Sequence, residues 1–264
     1  MLFHWKDYCM KRIDIQKETV NTGVVAQEWR SRLMAAAMPE RISVLSRFFK
    51  TGPGEYGEGD VFIGLYVPDN RRISQDYSNV SLEVIDGMLD EKIHEFRLAA
   101  FLALVRRYRK AGSDAGRMDI ADFYMSRGHR ADNWDLVDLS APYILGEEIV
   151  AGRFLDAIDR LIDSGNLWLQ RIAVVSMLPS IRRAQFGLPL AVCRRMLPHS
   201  HDLMRKAVGW MLREIGKRDQ SELIGFLDAH VPECSSVTLS YAVERLDPEL
   251  RQHYRRLRRA SRDT

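Results

Sequence analysis

The stretch Asn133-Trp-Asp-Leu-Val-Asp-Leu-Ser-Ala-Pro142 carries the residue types best suited to chemistry. Trp134 and Asp138 are four residues apart, so a helix sets one above the other on a single face. Asp135 points roughly 100° away from Trp134 on the same helix. An aromatic face attracts positive charge, and a neighbouring carboxylate stabilises that charge or orients a water. The pair therefore suits a substrate that is cationic, or becomes so as it reacts. A core tryptophan beside a surface aspartate has the same spacing, and both readings stand at this point.

Trp210 lies within Met204–Lys217, a segment dense in bulky apolar residues and in bases: Arg205, Lys206, Arg213 and Lys217. Trp168, in Asn166-Leu-Trp-Leu-Gln-Arg171, falls between the two other tryptophans along the chain. If successive helices turn these residues to one surface, Trp134, Trp168, Trp210 and Arg171 line an aromatic, basic groove, a combination that recurs in proteins handling nucleic acid. Taken singly, Trp168 reads as core. The segment Arg251–Arg262 holds six arginines around His253, Tyr254 and Leu257, which suits either a cationic helix facing phosphate or a solvated helix.

Other motifs are weaker. Thr51-Gly-Pro-Gly-Glu-Tyr-Gly-Glu-Gly-Asp60 is glycine-rich, but it lacks the Lys-Ser/Thr that follows a phosphate-binding loop, and its three acids repel phosphate. His199 and His201 with scattered acids form no metal-ligand pattern, so no metal or cofactor is expected. No serine or cysteine has the context of a nucleophile.

The elements that position these residues are helical almost throughout, and no run alternates at period two. Ala26–Lys50 is amphipathic and interrupted at Pro39, where a second helix can begin. The segment from Thr51 to Pro68, with five glycines and two prolines, reads as the one long irregular stretch. Helical patterns follow at Ser81–Leu89, Glu91–Lys110, Ala115–Arg127, Asn133–Val150, Arg153–Asp163, Leu167–Leu178 and Leu188–Leu197. Four more run over Asp202–Gly216, Ser221–His230, Ser236–Leu246 and Pro248–Ala260. Phe96-Arg-Leu-Ala-Ala, Leu169-Gln-Arg-Ile-Ala and Met204-Arg-Lys-Ala-Val echo one another at steps that suit a repeat of roughly 35–40 residues built from two helices. That period predicts an all-α fold: a curved α-solenoid of HEAT-like helix pairs with a concave face. Residues 1–24 read as an N-terminal extension, and residues 25–264 as a single repeat domain.

Composition narrows the class. The 264 residues are 46% hydrophobic and 28% charged, which is ordinary globular chemistry and not that of a disordered chain. Three widely spaced cysteines (Cys9, Cys193, Cys234) with no CxxC suit a reducing cytoplasm. The longest apolar run, Leu98–Val105, is eight residues, far short of a membrane span, and no signal peptide is read. The net charge of +3 hides an asymmetry. Residues 151–264 hold 19 of the 39 bases but 13 of the 36 acids, a balance of +6, whereas the first 150 residues balance at −3. One strongly positive face suits a polyanion.

Taken in order over about residues 25–245, these motifs resemble the bacterial DNA alkylation-repair proteins of the AlkD type, DNA glycosylases built from HEAT-like repeats. The resemblance rests on Phe48-Phe-Lys-Thr-Gly-Pro-Gly-Glu-Tyr-Gly-Glu-Gly-Asp60 leading into Val67-Pro-Asp, and on Asn133-Trp-Asp-Leu-Val-Asp138 with Ala141-Pro142. It continues through Trp168-Leu-Gln-Arg171 and Lys206-Ala-Val-Gly-Trp-Met-Leu-Arg-Glu214. It implies that Asp138, Trp134 and Trp210 occupy catalytic positions, and that Arg171 and Arg213 lie on a DNA-facing surface. Lys206 and Trp168 join them as expected DNA contacts. The implied activity is hydrolysis of the N-glycosidic bond of positively charged N3- or N7-alkylated purines in double-stranded DNA, by a cytoplasmic, monomeric enzyme. The rival is a non-catalytic HEAT-like scaffold that binds damaged or branched DNA, or a protein. The first 24 residues and the arginine-rich end fall outside the resemblance.

Overall fold

The structure is a computed structural model and describes residues 22–261. Among those residues it is all α: helices and 3-10 turns, with one isolated β-bridge between Val61 and Ile93. Of the extension expected over 1–24, all but the last three residues lie outside the described residues, and those three belong to the first helix, which runs over 22–35. No described helix is long and apolar enough to cross a membrane. The chain divides into two compact units, the first ending at Asp114 and the second beginning at Ala115.

The first unit contains α1 (22–35), α2 (Ile42–Phe48), α3 (Val67–Ser74), α4 (Leu82–Leu89) and α5 (His94–Lys110). Pro39 opens a 3-10 turn that runs into α2, where a proline costs no backbone hydrogen bond. The sequence pattern missed α3, whose first turn is Val67-Pro-Asp followed by Asn70, Arg71 and Arg72: its polar surface hides the 3.6-residue period, although Pro68 marks the start. In α5 every position from His94 to Val105 is buried, so the apolar run read from sequence is the centre of this unit.

The glycine-rich segment folds around buried acids. The Glu95 carboxylate accepts from the backbone N–H groups of Ile63 (3.1 Å), Gly64 (2.9 Å) and Leu65 (3.2 Å). Burial pushes this carboxyl above its ordinary value, and the backbone donors oppose that shift. Asp60 is held by His94 at 3.1 Å and by Arg97. Glu55 and Glu58 accept from the N–H groups of Gly52 (3.0 Å) and Gly54 (2.9 Å). The segment thus satisfies its own backbone donors instead of offering them to a phosphate.

The second unit runs through α6 (Asp114–Ser126), which begins at the boundary, then α7 (Trp134–Asp138), α8 (Leu145–Val150), α9 (Leu155–Ile162), α10 (Leu167–Val175) and α11 (Leu178–Arg182). It continues with α12 (Gly187–Met196), α13 (Asp202–Arg218), α14 (Gln220–His230), α15 (Ser236–Ala242) and α16 (Pro248–Ala260). The single helix expected over Asn133–Val150 is two, α7 and α8, separated by a 3-10 turn at Ala141–Tyr143. Pro142 has no N–H, and its ring clashes with the carbonyl one turn back, so the helix stops short of it. Most helices of this unit pack on others, as in an α-solenoid: α10 lies against α7, α9 and α13, α11 against α8 and α13, and α13 against α12, α14 and α15.

Two glycines allow close approach to a neighbouring backbone. A Cβ at Gly146 would stand 2.7 Å from the Ser176 carbonyl, and one at Gly209 would stand 2.6 Å from both the Thr238 carbonyl and Tyr241 Cβ. Gly209→Ala therefore forces α13 from α15, and overpacking of this kind costs about 1–3 kcal/mol. Gly225 in α14 meets nothing within 4 Å, so Gly225→Ala instead stabilises by roughly 0.5–1 kcal/mol through helix propensity. Urea unfolding of the two variants should move in opposite directions.

Candidate functional site

The short helix α7 is fixed at both ends. Asn133 has extended backbone, and its side chain accepts from the Trp134 N–H at 2.8 Å. At the other end Ser140 Oγ donates to the Leu136 carbonyl at 2.5 Å and lies 3.1 Å from the hydroxyl of buried Tyr124. Leu136 and Val137 are fully buried, so the i,i+4 pair Trp134 and Asp138 faces outward, each half-buried.

Asp138 does not stand alone. Arg171 Nε donates to its Oδ1 at 2.9 Å and Nη2 to its Oδ2 at 2.8 Å, a two-pronged fork. The third nitrogen, Nη1, donates to the Leu203 carbonyl in the first turn of α13 at 2.6 Å. One guanidinium thus ties α7, α10 and α13 together. The Asp138 side chain keeps 17% of its surface and Arg171 only 6%, so the carboxylate is the member of the pair still open to solvent. Burial pushes the Asp138 carboxyl above the usual range; the charge and hydrogen bonds of Arg171 oppose this, and the nearby charge of Asp135 adds to it. A carboxylate has about four lone-pair sites, of which the fork takes two, so both oxygens can still accept from another partner.

The resemblance put Arg171 on a DNA-facing surface. The structure places it beneath the site, 5% exposed, with its donors turned inward. Three of its five N–H donors are engaged there, so at this exposure it presents little surface to a phosphate. Trp168, expected singly as core, is half-buried, on the second residue of α10, where Asn166 caps the N–H groups of Trp168 (2.9 Å) and Leu169 (3.1 Å).

On α13 the spacing 206, 210, 213, 217 draws a stripe along the face opposite the buried Met204, Ala207, Val208, Met211, Leu212 and Ile215. Trp210 is half-buried in the middle of this stripe. Lys206 pairs with Asp202 at 2.7 Å. Arg213 pairs with Glu244 and lies over the Tyr241 ring at 5.9 Å. The structure thus joins Asp138 and Arg171 directly and places Trp134, Trp168, Lys206, Trp210 and Arg213, all half-buried, on the three helices that this pair links.

The sequence reading missed a second layer. His199 and His201 hold the start of α13. His201 Nδ1 accepts from the Leu203 N–H at 3.2 Å, and His199 Nδ1 accepts from the His201 N–H at 3.0 Å. With Nδ1 accepting, His199 is neutral and its Nε2–H donates to Gln170 Oε1 at 3.1 Å, while Gln170 Nε2 donates to the Ile162 carbonyl at 2.8 Å. The sequence signal was a polar residue just ahead of a helix, the position of an N-cap.

The model of one protein family, described as DNA alkylation repair enzyme, matches residues 29–246. The chain belongs to that family. Its matched segment contains every site residue described above and stops two residues before α16. Among solved structures, the protein described as "Predicted DNA alkylation repair enzyme from Enterococcus faecalis" is similar, with a TM-score of 0.63 at 15% identity, over 80% of this chain and 97% of that one. At that identity the likeness is one of fold. No curated protein gives a significant match.

Two consequences of this geometry can be measured. Arg171→Ala leaves a largely buried carboxylate without its counter-charge, a loss of about 3–5 kcal/mol in urea unfolding, and Arg171→Lys recovers only part because an ammonium cannot fork. Burial, with the charges of His201 and Arg205 in support, lowers the basicity of His199. Below the unfolded value of 6.5 the unfolded chain takes up a proton that the folded one resists, so stability falls as pH drops through that point. His199→Gln should flatten this limb of a plot of melting temperature against pH.

Proposed function

We propose that the protein is a DNA glycosylase that hydrolyses the N-glycosidic bond of positively charged N3- or N7-alkylated purines in double-stranded DNA. The observation that supports it best is the Asp138 carboxylate, forked by buried Arg171 yet open on one side, on the same helix face as Trp134, in a family of DNA alkylation repair enzymes.

Alkylation at N3 or N7 places positive charge on the purine and makes it a good leaving group. As the bond from C1′ to the base nitrogen breaks, its electron pair passes to the purine, which leaves neutral, and the sugar takes on oxocarbenium character. Asp138 stabilises that cation and orients the water whose oxygen bonds to C1′. As its oxygen bonds to C1′ the water gives up one proton to bulk solvent, which balances the charge carried in by the cationic purine. Trp134 and Trp210 contact the deoxyribose and add cation–π attraction as charge develops. Arg171 acts as a positioning residue: it keeps the carboxylate ionised and fixes its direction. A cationic purine needs no general acid in order to leave, and water is the nucleophile, so the reaction calls on no cofactor. Within this reading Lys206, Trp168 and Arg213 serve the DNA backbone and sugar, and the enzyme acts as a monomer in the cytoplasm.

Single-turnover release of alkylated base at saturating enzyme tests the assignment. Asp138→Asn removes one preorganised charge facing the sugar, a loss of roughly 10²–10³ in rate. The fork gives this variant a second cost. An amide accepts through one oxygen only, so Arg171 loses a partner and about 1–3 kcal/mol of stability goes with it. The rate is therefore compared below the melting temperature of both proteins. The rate should also fall on the acid side as Asp138 takes up a proton, and at a pH above the ordinary carboxylate range, because its carboxyl is raised. This limb should vanish in Asp138→Asn. Duplex binding with no base release by the wild type would instead favour the scaffold.

A further inference from the structure

The helix α16 lies beyond the family match, and its sequence Pro-Glu-Leu-Arg-Gln-His-Tyr-Arg-Arg-Leu-Arg-Arg-Ala divides cleanly between two faces. One face is anchored. Tyr254 is 2% exposed, and its hydroxyl donates to Asp228 in α14 at 2.8 Å. One turn on, buried Arg258 donates through Nε to the Cys234 carbonyl at 2.7 Å. Asp247 caps the start by accepting from the Leu250 N–H at 2.9 Å.

The other face carries Arg255, Arg256 and Arg259, all exposed. At 100° per residue they lie within about 100° of one another, with Arg255 and Arg259 one turn, about 6 Å, apart along the axis. None of the three has an ion-pair partner among the described residues. The one acid within the helix, Glu249, is in its first turn. Lys206 and Arg213, by contrast, are each paired with a carboxylate.

We propose that the Arg255–Arg256–Arg259 face of α16 is a binding surface for the sugar–phosphate backbone of duplex DNA, separate from the site around Asp138. It rests on the reading that the protein acts on DNA. Charge complementarity selects this partner: three unpaired positive charges on a rigidly held face meet a polymer with regularly spaced negative charge. The all-arginine composition supports it further, since a planar guanidinium presents a fork that matches two phosphate oxygens, and lysine does not. The surface recognises phosphates only, so it adds affinity without sequence or lesion preference.

The test is a salt series of equilibrium binding to a short undamaged duplex, for the wild type and for the triple variant Arg255→Gln, Arg256→Gln, Arg259→Gln. Loss of three phosphate contacts makes the slope of log K against log salt shallower by about 2.7, so raising salt from about 50 to about 200 mM weakens the variant about forty-fold less than the wild type. Both proteins should melt together, and single-turnover base release at saturating enzyme should be equal. The corresponding triple Lys variant keeps the charge and should keep the slope even if the Gln variant melts lower. Equal slopes for wild type and Gln variant would overturn the proposal, as would a wild type that does not bind duplex. So would a variant that loses only its binding to vesicles of equal parts phosphatidylcholine and phosphatidylserine, which would assign the face to membranes. Because binding is read on undamaged DNA, its outcome is independent of whether the wild type releases alkylated base.

Discussion

A guanidinium can be buried only where its donors are met, and that constraint organises the second unit. The Arg171 side chain, 6% exposed, asks for acceptors in three directions and finds them in Asp138 and the Leu203 carbonyl. Each acceptor belongs to a different helix, so satisfying one residue fixes α7 and the start of α13 against α10. The Asp138 carboxylate then has a set direction without any support from its own short helix beyond the Asn133 cap and the Ser140 bond. A helix of five residues has no stability of its own, so its geometry is wholly a tertiary property.

The same device recurs in the first unit with the charges exchanged. There a buried carboxylate, Glu95, collects the N–H groups of Ile63, Gly64 and Leu65, and Asp60 is met by His94 and Arg97. The Gly64 backbone, at φ +85°, and the 2.0 Å from its missing Cβ to the Met38 carbonyl show why glycine is required there. The acids of this segment, which argued against phosphate binding on grounds of repulsion, have a further role: they replace phosphate as the acceptor for the loop's own donors.

What could be read from the sequence divides along the same line. Helical period and cap residues are local, so the all-α class and the ranges of most helices were legible from residue types. Asn133-Trp-Asp-Leu-Val-Asp138 put Trp134 and Asp138 on one helix face for the same reason, but not which way that face turns. Partnerships across 33 residues, such as Arg171 with Asp138, leave no local trace, and an arginine beside a tryptophan looks alike whether it faces a phosphate or a buried carboxylate. The break at Pro142 was visible in the sequence but was outweighed by the apolar period on both sides. The helix α3 was lost because its buried face is made of Asn70 and Ser74 as well as Ile73, and Asn70 donates to the Glu95 carbonyl at 2.7 Å, so its core contact is polar.

Counting charge by half of the chain and locating charge on a surface give different answers. Residues 151–264 carry a balance of +6, which suggests a basic groove wherever the tryptophans lie. The structure pairs several of these bases in place, Arg171 with Asp138, Arg213 with Glu244, Lys206 with Asp202, and Arg195 with Asp159 and Asp163, so the excess is carried by other residues. Charges neutralised in place contribute little field beyond a Debye length of about 10 Å, and opening such a pair to meet a phosphate costs the pair before the new contact is made. The aromatic site is therefore less basic than its sequence suggests. Under the proposed function this implies a division of labour: sugar contact and cation stabilisation fall to Trp134, Trp210 and Asp138, Lys206 and Arg213 reach the backbone only by opening their pairs, and most counter-ion release falls to exposed arginines such as those of α16. The proposed reaction gains from the separation: a strongly positive surround would oppose the oxocarbenium charge that Asp138 would stabilise.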